Sequence, residues 1–172
     1  MERLWAPWRL TYVKSASGPN AVSCVFCDKQ AATDDREALV LHRGATCFVM
    51  LNLYPYANGH IMVSPYRHLA LPGELDAAER AELWELFDRS IAVLDATLKP
   101  HGHNAGLNLG RVAGAGVEGH LHLHVVPRWN GDTNFMPVLA DTRVMPQHLD
   151  ETWRILREAW IAGTSVEPAA TR

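Results

Sequence analysis

The chain has 172 residues, of which 48% are hydrophobic and 20% charged, and its formal net charge is −3. These values are typical of one soluble globular domain, and they argue against a disordered chain and against a nucleic-acid coat that depends on bulk positive charge. No apolar run reaches the length of about 18 residues that a membrane span needs. The start lacks a secretory h-region, and two of the three cysteines form a Cys-x-x-Cys pair, so we expect a cytoplasmic protein with reduced thiols.

In chain order, the first predicted feature is an N-terminal arm, residues 1–35, which carries Cys24-Val25-Phe26-Cys27. Strands follow where apolar residues of high strand propensity are bounded by the turn signals Arg43-Gly44 and Asn58-Gly59. The first two strands are spaced like a hairpin. The three predicted strands are Ala38–His42, Thr46–Leu51 and His60–Ser64.

A long helix is predicted over 77–98, because Asp76 and Glu79 have capping-box spacing and apolar residues recur every three or four positions. Strands at 104–109 and 120–127 follow, separated by a glycine-rich stretch, and a second helix begins near Pro146. The order β-β-β-α-β-β-α predicts an α+β fold. We expect an antiparallel sheet of about five strands, with the long helix and a C-terminal helix on one face.

Three histidines alternate with apolar residues in His120-Leu121-His122-Leu123-His124. In a strand the three imidazoles would share one face at spacings of about 6.5–7 Å, with the leucines on the other face. Backbone N–H groups of the glycine-rich stretch before them could bind an anion, so the pattern favours phosphate chemistry. Two alternatives stay open: hydrogen-bonded core histidines, and a catalytic zinc held by two of the three.

The segment His120-Leu-His-Leu-His-Val-Val126 resembles the motif of the histidine triad (HIT) family, His-φ-His-φ-His-φ-φ with φ apolar. Gly59-His60-Ile-Met-Val63 is similar to a second family strand, and Asn52 and Asn108 match family polar positions. The resemblance covers residues 36–130. It implies a catalytic domain over 36–140, followed by a C-terminal helix and tail over 141–172, all within one structural domain.

The resemblance implies nucleotidyl transfer through a nucleotidyl-histidine, with His122 as nucleophile and with His124 and His60 bonded to phosphate oxygens. LWAPWR and VVPRWNGDTNFMP resemble the branch of diadenosine tetraphosphate phosphorylases. We therefore expect diadenosine tetraphosphate as substrate, orthophosphate as co-substrate, ADP and ATP as products, and no organic cofactor. The alternatives are a HIT hydrolase of dinucleoside polyphosphates or nucleoside phosphoramidates, and a nucleotide-binding sensor.

The family pattern also implies the nucleotide contacts. Asn52 would contact ribose, Asn108 would lie near the phosphates, Trp129 would contact the base, and Arg128 could reach phosphate. Many members have glutamine four residues before the first triad histidine, where this chain has Gly116. Backbone N–H groups of residues from Gly114 to Gly116 are the expected substitutes for that side chain.

Some family members hold a structural zinc with a Cys-x-x-Cys pair and two histidines. The corresponding ligands here would be Cys24, Cys27, His68 and His120, a closed tetrahedral set that suits a structural ion. The alternative is two reduced thiols without metal. Family members are usually homodimers whose sheets join edge to edge, so we expect a homodimer.

Overall fold

The computed structural model describes residues 24–132 and 148–163. Most of the predicted N-terminal arm, Pro146 and the C-terminal tail lie outside these residues. Short 3₁₀ turns occur at Pro72–Glu74 and Arg111–Ala113. The helices and strands are α1 (Val25–Ala31), α2 (Asp35–Ala38), β1 (Val40–Arg43), β2 (Cys47–Leu51), β3 (Ile61–Pro65), α3 (Ala77–Thr97), β4 (Gly102–Leu107), β5 (Leu123–Arg128) and α4 (Leu149–Ile161).

The five strands form one sheet in the order β1-β2-β3-β5-β4, and every neighbouring pair is antiparallel. The predicted α+β fold is therefore confirmed, including the β1–β2 hairpin. Helices α1 and α2 precede the sheet, within and directly after the segment that was predicted as an arm. In the described part of the chain, no helix has the length and apolar character needed to cross a bilayer.

The two faces of the sheet carry different apolar clusters. Leu121, Leu123 and Val125 belong to the main core with residues of α3 and α4, as their predicted alternation requires. On the opposite face a smaller cluster includes Phe26 of α1, Phe48 of β2 and Met62 of β3. The histidines that alternate with the leucines lie on the side of this smaller cluster, next to Phe26.

All five strands differ from prediction by one to three residues at one or both ends. β5 begins at Leu123, so His120 and His122 precede the strand instead of opening it. Their segment leaves the ladder because Leu121 bonds elsewhere: its N–H donates to the carbonyl of Leu69 at 2.6 Å, and its carbonyl accepts from the Ser64 hydroxyl at 2.8 Å. β4 covers Gly102–Leu107, two residues earlier than predicted at each end. Its register is fixed by pairing with β5, from Gly102 opposite Arg128 onward.

The ends of α3 agree with the sequence signals. The Asp76 carboxylate accepts from the N–H of Glu79, and the Glu79 carboxylate accepts from the N–H of Asp76, so the predicted capping box is present. At the predicted Asn58-Gly59 turn, Gly59 has φ of 78°, and a Cβ there would lie 2.5 Å from Cδ1 of Leu98. Glycine is therefore required for the close approach of α3 to the turn that leads into His60.

The two edges of the sheet differ in the side chains that cover them. At the β1 edge, α4 packs alongside, and its Trp153 Nε1–H donates to the Val40 carbonyl at 3.0 Å while Arg157 donates to the Leu41 carbonyl. At the β4 edge, residues 104–106 are exposed, and within the described residues the strand pairs with β5 alone. One edge is thus closed by side chains, and the other presents unpaired backbone groups.

Candidate functional site

A cavity that is open to solvent lies on the face of the sheet that carries α1, between that helix, β2, β3 and the glycine-rich loop. Polar groups are few, and His122 and His124 are among them. The apolar wall consists of Val25, Phe26, Met50, Leu53, Met62 and Val117.

The His122 ring is held on three sides. Its Nδ1 lies 2.7 Å from the backbone carbonyl of His120, a distance that places the hydrogen on Nδ1. Phe26 stacks on the ring at a centroid distance of 4.6 Å, and His124 meets it edge-on at 4.8 Å. Nε2 therefore keeps its lone pair. Burial lowers the pKa of His122, partly offset by the bond to the His120 carbonyl, so the neutral form is favoured.

His124 and His60 form a directed hydrogen-bond chain. The backbone N–H of Tyr56 donates to His60 Nδ1 at 3.1 Å, so the ring hydrogen of a neutral His60 resides on Nε2. His60 Nε2 lies 2.9 Å from His124 Nδ1, which must accept. The hydrogen of His124 is thereby assigned to Nε2. Burial, with smaller contributions from His124 and His122, lowers the pKa of His60 to about 3, which keeps this ring neutral.

His60 lies behind His124 and does not line the cavity. Its side chain is fully buried, and both ring nitrogens already have partners within the chain. The sequence predicts a direct hydrogen bond from His60 to a phosphate oxygen, but neither ring nitrogen of His60 is free to make it. Asn52 does line the cavity. Its amide also contacts this chain of bonds, with Nδ2 3.3 Å from His60 Nδ1 and Oδ1 accepting from the N–H of Tyr54.

Two of the three predicted backbone donors of the glycine-rich loop are already engaged. The N–H of Gly114 donates to the backbone carbonyl of Arg111 at 2.9 Å, and the N–H of Ala115 donates to the backbone carbonyl of Gly110 at 3.2 Å. These two bonds shape the 3₁₀ turn. Gly114 and Gly116 both line the cavity. The positive φ of Gly114, 92°, allows the turn to reverse there.

Asn108 lies beside the triad, with the end of its side-chain amide 3.4 Å from Nε2 of His124; because Nε2 carries the hydrogen, the amide presents its oxygen to it. Arg128 and Trp129 lie elsewhere. They follow His124 by four and five residues, about 13 Å or more along an extended strand, and neither lines the cavity. Arg128 pairs with Asp132 at 2.6 Å, and the Trp129 indole N–H donates to the Leu98 carbonyl at 3.4 Å. The structure does not bring these two predicted nucleotide contacts to the cavity of their own chain.

The four predicted metal ligands do come together. The ligand atoms of Cys24, Cys27, His68 and His120 all lie within 4.8 Å of one another. Nδ1 of His120 is 3.3 Å from the Cys24 sulfur and 3.6 Å from the Cys27 sulfur, and Nδ1 of His68 is 3.4 Å from the Cys27 sulfur. Two thiols and two imidazoles form the donor set that zinc prefers in closed sites.

The orientation of His120 fits this donor set. Its Nε2 lies 2.9 Å from the Pro65 carbonyl, so Nε2 carries the hydrogen and the Nδ1 lone pair points toward the sulfurs. Burial lowers the pKa of His120, which favours the neutral form that a metal requires. The residues present therefore fit a tetrahedral zinc ion.

Sequence reasoning missed Phe26 and Tyr56 as parts of the site. Phe26 lies between the two cysteines, so its place in the Cys-x-x-Cys segment was a signal that it would be carried next to His120. Tyr56 acts through its backbone N–H and stacks on His60 at 4.8 Å. No side-chain pattern encodes a backbone donor, so this role becomes apparent only in three dimensions.

Comparison with known proteins identifies the family. The family model for the HIT domain, which describes the sequences of its members, matches residues 34–131, more than half of the chain. The chain is 41% identical over 165 residues to the AP-4-A phosphorylase of Mycobacterium tuberculosis, an alignment that covers 93% of this chain and 85% of that protein. The chain belongs to the HIT family.

Solved structures of HIT proteins have the same fold. A zinc-bound histidine triad family protein from Mycobacterium smegmatis superposes with a TM-score of 0.65 at 27% identity, covering 85% of this chain and 99% of that one. A hypothetical histidine triad nucleotide-binding protein from Sulfolobus tokodaii gives the same TM-score at 26% identity, covering 81% and 93%. The fold expected from the sequence is therefore that of the family.

Proposed function

We propose that this HIT protein is an enzyme that cleaves diadenosine tetraphosphate by phosphorolysis, releasing ADP and ATP. The observation that carries the proposal is the bond from His122 Nδ1 to the His120 carbonyl, since it leaves a basic Nε2 on the ring at the cavity. The substrate is chosen on the 41% identity to an AP-4-A phosphorylase over most of both chains.

In the first step, Nε2 of His122 attacks the α-phosphorus of one adenylate. A P–N bond forms while the bond from that phosphorus to the bridging oxygen breaks, so ATP leaves and an adenylyl-histidine remains. The Nδ1–H bond to the carbonyl stabilises the positive charge that the ring acquires. In the second step, an oxygen of orthophosphate attacks the same phosphorus, which gives ADP and returns His122.

His124 is the proposed donor to the reacting phosphates. Its Nε2–H is directed away from His60, and the Asn108 amide lies next to it. His60 is proposed as a positioning residue, because it holds His124 in the tautomer that donates and does not itself meet the cavity. Gly114, Gly116 and Asn52 line the cavity. Because the N–H of Gly114 donates to the Arg111 carbonyl, the N–H of Gly116 is the proposed backbone donor to phosphate, with Gly114 beside it, and Asn52 is the proposed contact to ribose.

Product analysis tests the function. Pure protein is incubated with diadenosine tetraphosphate with and without orthophosphate, and the nucleotides are separated by ion-exchange chromatography. We expect ADP and ATP in equal amounts only when orthophosphate is present. AMP and ATP formed independently of orthophosphate would instead identify the hydrolase. Nucleotide binding without turnover would identify the sensor.

We further propose that Cys24, Cys27, His68 and His120 hold a structural zinc ion. The proposal is supported by the converging donor atoms and by the zinc-bound family structure. All four ligand positions are filled by side chains, so the ion would cross-link the chain and not activate water. Thiolate ligands suit the reducing cytoplasm in which we expect the protein. Metal analysis of protein purified without chelator tests this site, with one zinc per chain as the expected result.

We propose that two chains associate through the β4 edge. Residues 104–106 are exposed there, and Arg128 bonds to Asn104 on the same edge at 2.7 Å. We therefore assign Arg128 and Trp129 to this interface, or to a partner's cavity across it, in place of the cavity of their own chain. Sedimentation analysis tests the association: the expected species is a dimer, and replacing Ala105 by Pro should weaken it, because proline cannot donate to an added strand.

A further inference from the structure

The side chain of Phe26 contacts both the triad residue His122 and the cysteine–histidine cluster. Phe26 lies in α1 between Cys24 and Cys27, and its side chain is buried. Its ring stacks on His122 at 4.6 Å with an interplanar angle of 29°, and it also contacts His120 at 5.1 Å. The same ring therefore touches the residue proposed as nucleophile and a residue of the cysteine–histidine cluster.

Helix α1 is short, and its two ends are anchored in different ways. At the C-terminal end, Arg43 donates to the carbonyls of Gln30 at 2.6 Å and Ala32 at 2.9 Å. At the N-terminal end, Cys24 is the N-cap residue and its side chain makes no capping hydrogen bond. The polar contacts of that end with residues 68 and 120 run through the two thiols.

Thiol contacts of 3.3–3.6 Å to imidazoles are weak hydrogen bonds when no metal is bound. A bound metal replaces them with coordinate bonds, which fixes the first turn of α1 against the segment that contains His120. Phe26 belongs to that turn, so its ring is fixed with it. The ring of His122 has a backbone anchor at Nδ1, and packing against Phe26 restricts its rotation about that anchor.

We propose that Phe26 is a positioning residue that holds the His122 ring in its attacking orientation, and that it conveys to this ring the constraint imposed by metal at Cys24 and Cys27. The proposal rests on the adenylyl transfer proposed above. Phe26 also lines the cavity. A residue that acts only as a wall contributes to binding, whereas a positioning residue contributes to the rate of bond formation at saturating substrate.

The test compares Phe26→Leu with Phe48→Leu in the full-length, metal-loaded protein. Phe48 is a matched control: it is buried in the same small cluster but stacks on Tyr66 at 5.5 Å and does not line the cavity. Quenched-flow measurement of adenylyl-enzyme at saturating diadenosine tetraphosphate gives the rate of the first step, and equilibrium dialysis gives the affinity for AMP. Near-ultraviolet circular dichroism checks that each variant is folded, and Phe26→Met replaces the leucine variant if it is not.

For Phe26→Leu we expect the first step to be slower by about 10- to 100-fold, since small misplacement of a reacting group has effects of this order. AMP affinity should stay within about threefold, and Phe48→Leu should retain the rate within about twofold. A loss confined to AMP affinity, or an equal rate loss in both variants, would overturn the positioning role. If the wild-type protein forms no adenylyl-enzyme at all, the proposed function fails before this comparison is reached.

Two measurements test the link to the metal. Cys27→Ser, with its metal content measured, should slow the first step, and adding Phe26→Leu to it should slow the step by no more than about twofold further, because both changes release the same constraint. Multiplicative losses would overturn the link. The nuclear Overhauser effect between the ring protons of His122 and His124, which meet at 4.8 Å, provides a readout without turnover. It should be weaker in both variants than in the wild-type zinc protein, because the His122 ring then rotates about its Nδ1 anchor. An unchanged effect in both variants would also contradict the proposal.

Discussion

The molecule contains two groups of histidines on either side of Phe26, and their surroundings give them different chemistry. In the first, His60, His124 and His122 are packed against one another, and each neutral ring has a defined direction of hydrogen bonding. In the second, His68 and His120 direct Nδ1 toward two sulfurs. The comparison teaches that the partner of one ring nitrogen decides what the other nitrogen can do.

The largest expected effect is the loss of turnover when the proposed nucleophile of the first histidine group is replaced. His122→Asn should lower turnover at least about 10³-fold, because the variant has no imidazole to form the P–N bond. Nucleotide affinity should change little. Release of ADP and ATP measures turnover, and mass spectrometry of quenched protein detects the adduct. His101→Asn is the control, since His101 accepts from the N–H of Asn130 at a distance from the cavity. Full turnover by His122→Asn would eliminate the covalent mechanism.

A second prediction uses pH. His60 has a pKa of about 3 in the fold against an ordinary value of 6.5, so below pH 6.5 the unfolded chain binds a proton that the folded chain does not. The free energy of unfolding should therefore decrease as the pH falls from 6.5 toward 3, by about 1.4 kcal/mol per pH unit from this residue alone. Above pH 6.5 the contribution of His60 should not vary with pH.

Urea unfolding at pH 7.5 and pH 4.5 measures this dependence. His60→Asn should have a shallower slope between the two values, since one of the histidines with a lowered pKa is gone. The burial-lowered pKa values of His122, His120 and His42 act in the same direction, so some slope should remain. A slope as steep in His60→Asn as in wild type would refute the assignment to His60.

A third prediction concerns the second group, the cysteine–histidine cluster, and its contribution to metal binding and stability. Cys27→Ser should lose the metal and lower Tm by about 5–10 °C, equivalent to about 2–3 kcal/mol for a chain of this size. Metal analysis and calorimetry measure the two effects. Cys47→Ala is the control: Cys47 is buried in β2 within the main core, so its loss should leave metal content unchanged. Zinc bound equally by Cys27→Ser would mean that the ion sits elsewhere.

The smallest expected effect concerns the positioning histidine. His60→Gln should slow the first chemical step by about 10- to 100-fold with KM nearly unchanged, because His124 loses the partner that fixes its tautomer. His103→Gln provides the comparison, since His103 pairs with Asp95 away from the cavity. A loss as large as that of His122→Asn would mean that His60 contacts the reacting groups itself.

The parts of the structure that the sequence predicted are those encoded by local or periodic patterns. Asp76 and Glu79 mark the start of α3, the alternation around Leu123 assigns core and cavity sides, and the cysteine–histidine cluster follows from family spacing. The parts it did not predict depend on backbone groups and distant partners. Leu121 bonds to Leu69 and so shortens β5, and Tyr56 donates through its N–H.

The same distinction explains the remaining differences within the site. The family resemblance implied that His60 contacts phosphate, but its burial behind His124 depends on how β3 pairs with β5, which residue type does not encode. Likewise, a run of glycines indicates flexible N–H donors, but the turn at Gly110–Ala115 uses two of them internally. The resemblance implied that Arg128 could reach phosphate, and its position at the end of β5 keeps it away from the cavity of its own chain.

The unequal edges of the sheet also determine how large an assembly can grow. Because α4 occupies the β1 edge through Trp153 and Arg157, residues 24–132 and 148–163 offer a single strand for pairing. When β4 of one such chain pairs with β4 of another, neither chain has a further open strand to pair, and the assembly closes as a dimer. A chain that lost α4 would offer two strands, and the same pairing could then repeat without end as a fibre.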